Sequence, residues 1–216
     1  MVFVDYNWTP ILIPFIIGIV KYRKLDKAFR ILFFFVVVGV IAEVSSLLAR
    51  HLLDSRNTML QGNFYLLSSF LLLSWYYIEV LKELVKPKIF WIIVLIFETG
   101  AFTNLLIIGS LREYPSVSQS VSKILFLVYS LAFFHKIMVE AKIKTLWKDP
   151  YFLVNLAVLI YYAGNLFFSV LFNIMLNYSR EFTKVAAVYF SFLNALFYFI
   201  LGWAFDRFSR DQSRGR

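Results

Sequence analysis

The sequence predicts an all-α membrane protein with seven transmembrane helices, an N-terminus outside the cell and a C-terminus in the cytoplasm. Three observations predict this fold. The chain has 216 residues, of which 61% are hydrophobic and only 16% are charged, whereas a soluble domain of this length needs far more polar surface. Apolar runs recur along the whole chain, each near the roughly 20 residues that span a bilayer. Lysine and arginine are also distributed unevenly between alternate loops.

Seven apolar runs define the spans and leave no room for a separate soluble domain. The first run, Trp8 to Val20, is short, but its positive charges follow it, which is the reverse of a secretory signal. We therefore expect it to be retained as a helix that inserts with its N-terminus outward. The predicted spans are residues 6–21, 31–52, 60–81, 88–110, 117–138, 151–176 and 184–205, followed by a basic C-terminal tail at 206–216.

The positions of the basic residues predict the orientation. With the N-terminus outside, sixteen of the 22 Lys and Arg residues fall in cytoplasmic segments, five fall in external segments, and Lys123 lies within a span. Cytoplasmic loops of membrane proteins carry such an excess. The net charge of +9 is therefore explained by topology, with some attraction to anionic lipid, and indicates no nucleic-acid partner.

Three ionisable residues are predicted at membrane depth: Glu43 in the second span, Glu98 in the fourth and Lys123 in the fifth. Each costs about 2.5–3.5 kcal/mol on insertion scales, so each calls for a functional hypothesis. Counted from the predicted span ends, Glu98 lies near mid-membrane, and Glu43 and Lys123 lie toward the outer half. Because the inner half is comparatively apolar, this distribution predicts a polar cavity that opens outward.

Polar stripes on two spans support such a cavity. The stripe on the second span comprises Gly39, Glu43, Ser46, Arg50 and Asp54, and that on the fifth comprises Ser116, Gln119, Ser120, Lys123 and Ser130. Facing stripes supply the hydrogen bonds that lipid does not. Purely structural alternatives stay open. Arg50, two turns from Glu43, would neutralise it, and Lys123 would reach the outer interface by extending its own side chain.

The sixth span carries a polar seam along one face. At about 100° per residue, five of its polar side chains fall within roughly 80° of the helix circumference. Such a seam faces protein, either as interhelical packing contacts or as part of a ligand site. Ala163 and Gly164 on this span would permit close backbone approach. The seam consists of Asn155, Tyr162, Asn165, Ser169 and Asn173, and Asn194 adds a central amide on the seventh span.

Several protein classes are excluded by missing residues. The chain has no cysteine, which rules out disulfides, thiol nucleophiles and Cys-based metal sites. A retinal pump needs a lysine in the middle of the seventh span, where Asn194 and Tyr198 stand instead. The receptor motifs DRY and NPxxY, a Pro-Gln pair, HExxH and GxSxG are also absent. His51 and His135 lie near opposite faces of the predicted topology, so the sequence predicts no metal site and no cofactor.

The tail at 206–216, which reads DRFSRDQSRGR, has two interpretations. It is either a docking segment for a cytoplasmic partner or a stop-transfer signal that ends in a disordered stretch.

Three stretches, GVIAEVSSLLAR, NFYLLSSFLLLSWYY and DPYFLVNLAVLIYYAGNLFF, resemble small seven-helix proteins of Bacteroidetes that are often encoded near sensor histidine kinases or fused to them. The similarity covers the regions of spans 2–3 and 6–7. It implies a sensory or accessory role in the bacterial inner membrane, with the signal passing to a separate protein. The residues to which the resemblance draws attention are Glu43, Asn63, Tyr65, Asp149, Pro150, Asn155, Gly164, Asn165 and Asn194.

Together these observations predict a non-enzymatic, sensor-like or accessory membrane protein. It would bind a small or lipidic ligand, or the helices of a partner such as a sensor histidine kinase, in an outward-facing polar cavity. A small-solute transporter is the main alternative, and an intramembrane lipid-modifying enzyme ranks behind it. The predicted ligand-binding residues are Glu43, Glu98, Lys123, Asn155, Tyr162, Asn165, Ser169, Asn173 and Asn194.

Overall fold

The computed structural model is built of α-helices joined by short turns. It describes the backbone of residues 9–52, 58–108, 115–140, 145–178 and 180–214, and the side chains of these residues except 107–108, 167–178, 180–184, 186–187 and 214. Within these segments there is no β-strand. The α-helices are α1 (Leu12–Lys21), α2 (Lys27–Leu52), α3 (Met59–Leu81), α4 (Pro87–Thr103), α5 (Ser116–Glu140), α6 (Pro150–Tyr178) and α7 (Arg180–Arg214).

Five helical segments are long and apolar enough to cross a membrane, which is consistent with an integral membrane protein. They are Lys27–Leu52, Met59–Leu81, Pro87–Leu106, Ser116–Glu140 and Val188–Ser213. The first and sixth predicted spans are not among them. Helix α1 has ten residues and covers about 15 Å, and the apolar part of α6 searched for spans is Pro150–Leu166.

Helix α2 begins four residues before its predicted span because Asp26 caps it. The Phe29 backbone N–H donates to Asp26 Oδ1 at 2.9 Å, and the Arg30 N–H donates to the Asp26 carbonyl oxygen at 2.9 Å. The Asp26 side chain thereby satisfies one of the N–H groups that a helix start leaves unpaired, and its carbonyl oxygen accepts the first intrahelical hydrogen bond. The sequence analysis placed Lys27 and Arg30 in a loop because both are charged.

Helix α7 extends past residue 205, where the seventh predicted span ends. The helix continues to Arg214, and Ser209 in this extension is 2% exposed. Asp206 forms ion pairs with Lys21 on α1 and with Arg210 one turn further along α7, the latter at 2.6 Å. These contacts hold the end of α7 against the turn that follows α1.

Helix contacts define an order around the bundle. Helices α1, α2, α3, α5, α6 and α7 contact one another in that sequence, and α7 closes the ring on α1. Helix α4 packs on α3 and α5 from outside the ring. Its outer face is apolar and exposed, with Leu95 at 68% and Ile96 at 67%, as expected for a surface that faces lipid.

Aromatic rings fill the interior. The rings of Phe29 and Phe208 stack with centroids 4.3 Å apart, those of Phe70 and Phe97 lie 3.7 Å apart, and Phe126 lies 4.7 Å from Tyr162. Such pairs add packing energy beyond the area they bury. This matters because lipid removes most of the hydrophobic driving force for helix association.

We call the two ends of the bundle the lysine-rich end and the opposite end. The lysine-rich end contains Lys27, Lys82, Lys136 and Lys148, where α2 and α6 begin and α3 and α5 end. The opposite end is formed where α2 ends and where α3 and α5 begin.

Candidate functional site

The Glu43 cavity lies at the opposite end of the bundle, between α2, α3 and the start of α5. It has a volume of about 390 Å³. Helix periodicity brings Glu43, Ser46 and Arg50 to its wall from one face of α2. The Arg50 Nε donates to the Ser46 carbonyl oxygen at 3.3 Å, and the guanidinium acts electrostatically on the Glu43 carboxyl group. The cavity thus contains both signs of charge.

The Lys123 cavity lies beside it, between α3, α5 and α6, with a volume of about 290 Å³. Lys123 is 7% exposed, and Asn165 is 4% exposed. The Asn165 Nδ2 donates to the Tyr161 carbonyl oxygen at 2.7 Å, which fixes the orientation of the amide. The polar residues of the wall are Tyr65, Ser69, Gln119, Ser122, Lys123, Tyr161, Tyr162 and Asn165.

Tyr65 and Gln119 line both cavities and form the wall between them. The Tyr65 hydroxyl group also lies near that of Tyr198 on α7, and the two groups interact electrostatically. This shared wall, which we call the partition, therefore lies between the Glu43 carboxylate on α2 and the Lys123 ammonium group on α5. It also lies close to the Tyr198 hydroxyl group on α7. A molecule that fills either cavity contacts this partition.

A polar atom without a partner points to a missing donor in the Glu43 cavity. The Oε1 atom of Gln61 is buried and accepts no hydrogen bond from any residue that the structure describes. Gln61 lines the Glu43 cavity beside Gly62 and Asn63. An unpaired buried acceptor costs about 1–3 kcal/mol, so a donor from a ligand or a water molecule would be stabilising here.

The polar seam of α6 divides between two roles. Tyr162 and Asn165 reach the Lys123 cavity, whereas Asn155 packs deeper, between α3 and α5. Asn155 is 1% exposed, and its Oδ1 accepts from the Tyr77 hydroxyl at 2.8 Å. Its Nδ2 donates to the Ser130 carbonyl oxygen at 3.2 Å. Asn155 is therefore an interhelical contact, and the side chains of Ser169 and Asn173 lie outside the described residues.

Like Asn155, two further predicted site residues line neither cavity. Glu98 lies on α4, the helix outside the ring, and its Oε1 atom is buried without a hydrogen bond from the described part of the chain. Asn194 lies half-buried on α7. The structure therefore brings together Glu43, Lys123, Tyr162 and Asn165, and it separates Glu98, Asn155 and Asn194 from them.

A third cavity, at the lysine-rich end, was missed by the sequence analysis. It has a volume of about 330 Å³ and lies between the start of α2 and the ends of α3 and α5. Glu79 accepts from Lys27 at 2.7 Å and from Lys82 at 2.8 Å, and Lys136 lies 3.1 Å from Glu83. From the sequence, these lysines indicated only the orientation of the chain in the membrane. The alternation of acids and lysines at the helix ends is the signal that was overlooked.

Two groups at this end have shifted pKa values. Burial raises the pKa of Asp149 above its ordinary value of 3.8, and backbone N–H groups of Phe152 and Tyr151 offset only part of this effect. The Phe152 N–H donates to Asp149 Oδ1 at 2.7 Å, so Asp149 caps α6. The hydrogen bond from Lys82 to Glu79 raises the pKa of the Lys82 ammonium group.

The two cavities present groups that can bind a small polar molecule. Within the described segments, no group of three or more His, Asp or Glu side chains is placed to hold a metal ion. The joined cavities provide a carboxylate, a guanidinium group, an ammonium group and the amides of Gln61, Asn63, Gln119 and Asn165. Well-placed polar groups fix the orientation of a small molecule in its site and provide specificity.

Comparisons with known proteins add no further information. No protein-family model, no curated protein and no solved structure matches the chain.

Proposed function

We propose that this protein is a non-enzymatic, sensor-like membrane protein that binds a small polar or lipidic ligand in the joined Glu43 and Lys123 cavities. The observation that carries the proposal is the shared wall. Tyr65 and Gln119 separate a cavity that contains Glu43 from one that contains Lys123. Opposite charges in two adjoining cavities suit a ligand that carries both a cationic and an anionic group.

The helix contacts suggest how binding is transmitted. Tyr65 interacts electrostatically with Tyr198, and α7 continues from there to the lysine-rich end. At that end, Asp206 pairs with Lys21 and Arg210. A ligand that moves Tyr65 would therefore act on α7. It shifts the equilibrium between two arrangements of α5 to α7 only by its difference in affinity for them.

The proposed setting is the bacterial inner membrane, with the Glu43 cavity facing outward and the lysine-rich end in the cytoplasm. The placement of Lys and Arg supports this orientation. In this setting, the lysine-rich end would report to a separate partner, such as a sensor histidine kinase or another membrane protein. The resemblance of the sequence to kinase-associated seven-helix proteins supports that choice of partner.

Thermal unfolding with a panel of added compounds tests the proposal. A bound ligand at 100 times its Kd stabilises the folded protein by about 2.7 kcal/mol. The panel would contain zwitterionic metabolites and phospholipids, added to the purified full chain in detergent. We expect at least one compound to raise the unfolding temperature of the wild type. Glu43→Gln should reduce the apparent affinity for this compound at least tenfold.

Glu98→Gln is the matched control because it makes the same change in a carboxyl group that lines neither cavity. It should keep the wild-type response to each compound. The proposal is overturned if every stabilising compound acts equally on the wild type and on the Glu43→Gln and Lys123→Met variants.

A second candidate function is transport of a small solute, and the cavity at the lysine-rich end favours it. Alternating access requires polar cavities at both membrane faces, which the apolar inner half of the sequence argued against. The structure places the 330 Å³ cavity with Glu79 and Lys136 at the end away from Glu43. Flux of a stabilising solute into proteoliposomes, lost in Lys123→Met, would favour transport over sensing.

A further inference from the structure

An apolar groove on the lipid-facing side of α2 and α3 leads to the Glu43 cavity. The groove has a volume of about 380 Å³. Its outer walls include Ile41, which is 61% exposed, and Phe64, which is 67% exposed. The groove is also lined by Val38, Leu60 and Ser68. Such side chains present hydrocarbon to the bilayer core.

The groove and the Glu43 cavity adjoin each other. Ala42, Gln61 and Tyr65 line both of them. A molecule that spans this junction would be apolar where it touches Phe64 and polar where it reaches Glu43. This description fits an amphiphile that comes from the bilayer.

The polar lining identifies the chemistry of its head group. Glu43 favours a cation, and Arg50 favours an anion such as a phosphate, which a guanidinium group binds well. The Oε1 atom of Gln61, which no described residue contacts with a donor, needs an N–H or O–H group. A phosphate followed by a primary ammonium group supplies all three features. A quaternary ammonium group has no N–H and would leave the Gln61 oxygen unpaired.

We propose that the protein binds a phospholipid with a phosphate and a primary ammonium group in its head group. The head group lies in the Glu43 cavity, and one acyl chain lies in the groove between α2 and α3. This inference rests on the proposed function, since it assigns the ligand of the same cavity, and it adds the lateral route and the class of ligand.

Native mass spectrometry of the full chain in detergent, with defined probes added, tests the inference. The probes are dihexanoyl phosphatidylethanolamine, its phosphatidylglycerol counterpart and glycerophosphoethanolamine, which has the head group without acyl chains. We expect the first probe to bind at least tenfold more tightly than the other two. Glu43→Gln should reduce its affinity at least tenfold because it removes the charge that faces the ammonium group.

Groove-filling variants test the acyl-chain site separately. Ser68→Trp places an indole ring in the groove without altering a residue of the Glu43 cavity, and we expect at least a tenfold loss for the ethanolamine phospholipid. Ile96→Trp, on the lipid face of α4, is the control and should bind as the wild type does. Val38→Trp, on the other wall of the groove, replaces Ser68→Trp if circular dichroism shows that this variant is unfolded.

The outcomes separate the two proposals. If glycerophosphoethanolamine binds as tightly as the lipid, and Ser68→Trp has no effect while Glu43→Gln does, the lipid assignment is overturned and the cavity still holds a ligand. Equal binding of both phospholipids, unchanged by Glu43→Gln, overturns the head-group assignment. If no probe responds to any variant, the lipid assignment also fails, and the thermal-unfolding panel then decides the proposed function independently.

Discussion

The Tyr77 hydroxyl donates a hydrogen bond of 2.8 Å to Asn155 Oδ1 in the middle of the bundle, where both side chains are at most 1% exposed. Asn155 in turn donates to the Ser130 carbonyl oxygen. This chain of hydrogen bonds joins α3, α6 and α5. In a bundle with little hydrophobic driving force between its helices, such bonds help to fix the helix register.

Replacing Asn155 with leucine should destabilise the protein. The change removes the acceptor of the buried Tyr77 hydroxyl group, and a buried polar group left without a partner costs about 1–3 kcal/mol. We expect a loss of about 1–2 kcal/mol in the free energy of unfolding, measured by denaturant titration in mixed micelles. In a double-mutant cycle with Tyr77→Phe, the two losses should be clearly less than additive. Additive losses would show that the two groups do not interact.

Gly164→Ala should destabilise the protein because α6 and α7 approach closely at this glycine. A Cβ atom at this position would lie 2.6 Å from Leu193 Cδ1 and 3.0 Å from the Tyr189 hydroxyl oxygen. We expect Gly164→Ala to cost about 1–3 kcal/mol, as overpacking in cores does. Gly100→Ala is the control, since a Cβ atom there meets nothing within 4 Å, and it should be neutral or slightly stabilising. Equal stability of the two variants would contradict the close packing of α6 on α7.

The sequence predicted where the helices lie along the chain better than it predicted which helices pack against each other. The lengths of the apolar runs defined α2, α3, α4, α5 and most of α7, because span length is set by the bilayer. The order of helices around the bundle could not be predicted, since periodicity shows which face of a helix is polar and not which helix it meets. The end of α7 was missed for the same reason. Asp206 in this part of α7 pairs with Lys21, which is 185 residues away in the sequence.

The site was predictable only in part. Glu43 and Lys123 were identified because charges are costly in lipid, and the structure places both beside Tyr65 and Gln119. Glu98 met the same criterion but lies on the outer helix. The α6 seam predicted a protein-facing surface, yet one periodic face contains both an interhelical contact, Asn155, and a cavity residue, Asn165. Sequence spacing does not distinguish the two because both repeat with the helix period.

Asp149 should make stability depend on pH. Burial raises its pKa in the folded protein, so the folded state holds the proton to higher pH than the unfolded chain does. The resulting stabilisation is complete below pH 3.8 and is lost as the pH rises through the folded pKa. Asp149→Asn keeps an N-cap acceptor but does not titrate. Its stability relative to the wild type should therefore increase with pH above 3.8, measured by urea unfolding in micelles; a constant difference would contradict the assignment.

The proposed orientation can be tested with single cysteines, because the chain contains none. Thr58→Cys lies before α3 at the opposite end, and Lys86→Cys lies in the turn after α3 at the lysine-rich end. A membrane-impermeant maleimide should label Thr58→Cys in intact spheroplasts. It should label Lys86→Cys only after lysis. The reverse pattern would place the Glu43 cavity on the cytoplasmic side.

Ligand binding in the joined cavities is tested most directly by mass spectrometry of the molecules that remain with gently purified protein. The wild type would be compared with Glu43→Gln, Asn165→Leu and the Glu98→Gln control, each checked for folding by circular dichroism. We predict that one defined species accompanies the wild type and Glu98→Gln and is lost from both cavity variants. Retention of the same molecules by all four proteins would contradict the account, and the polar groups around Tyr65 would then serve helix packing alone.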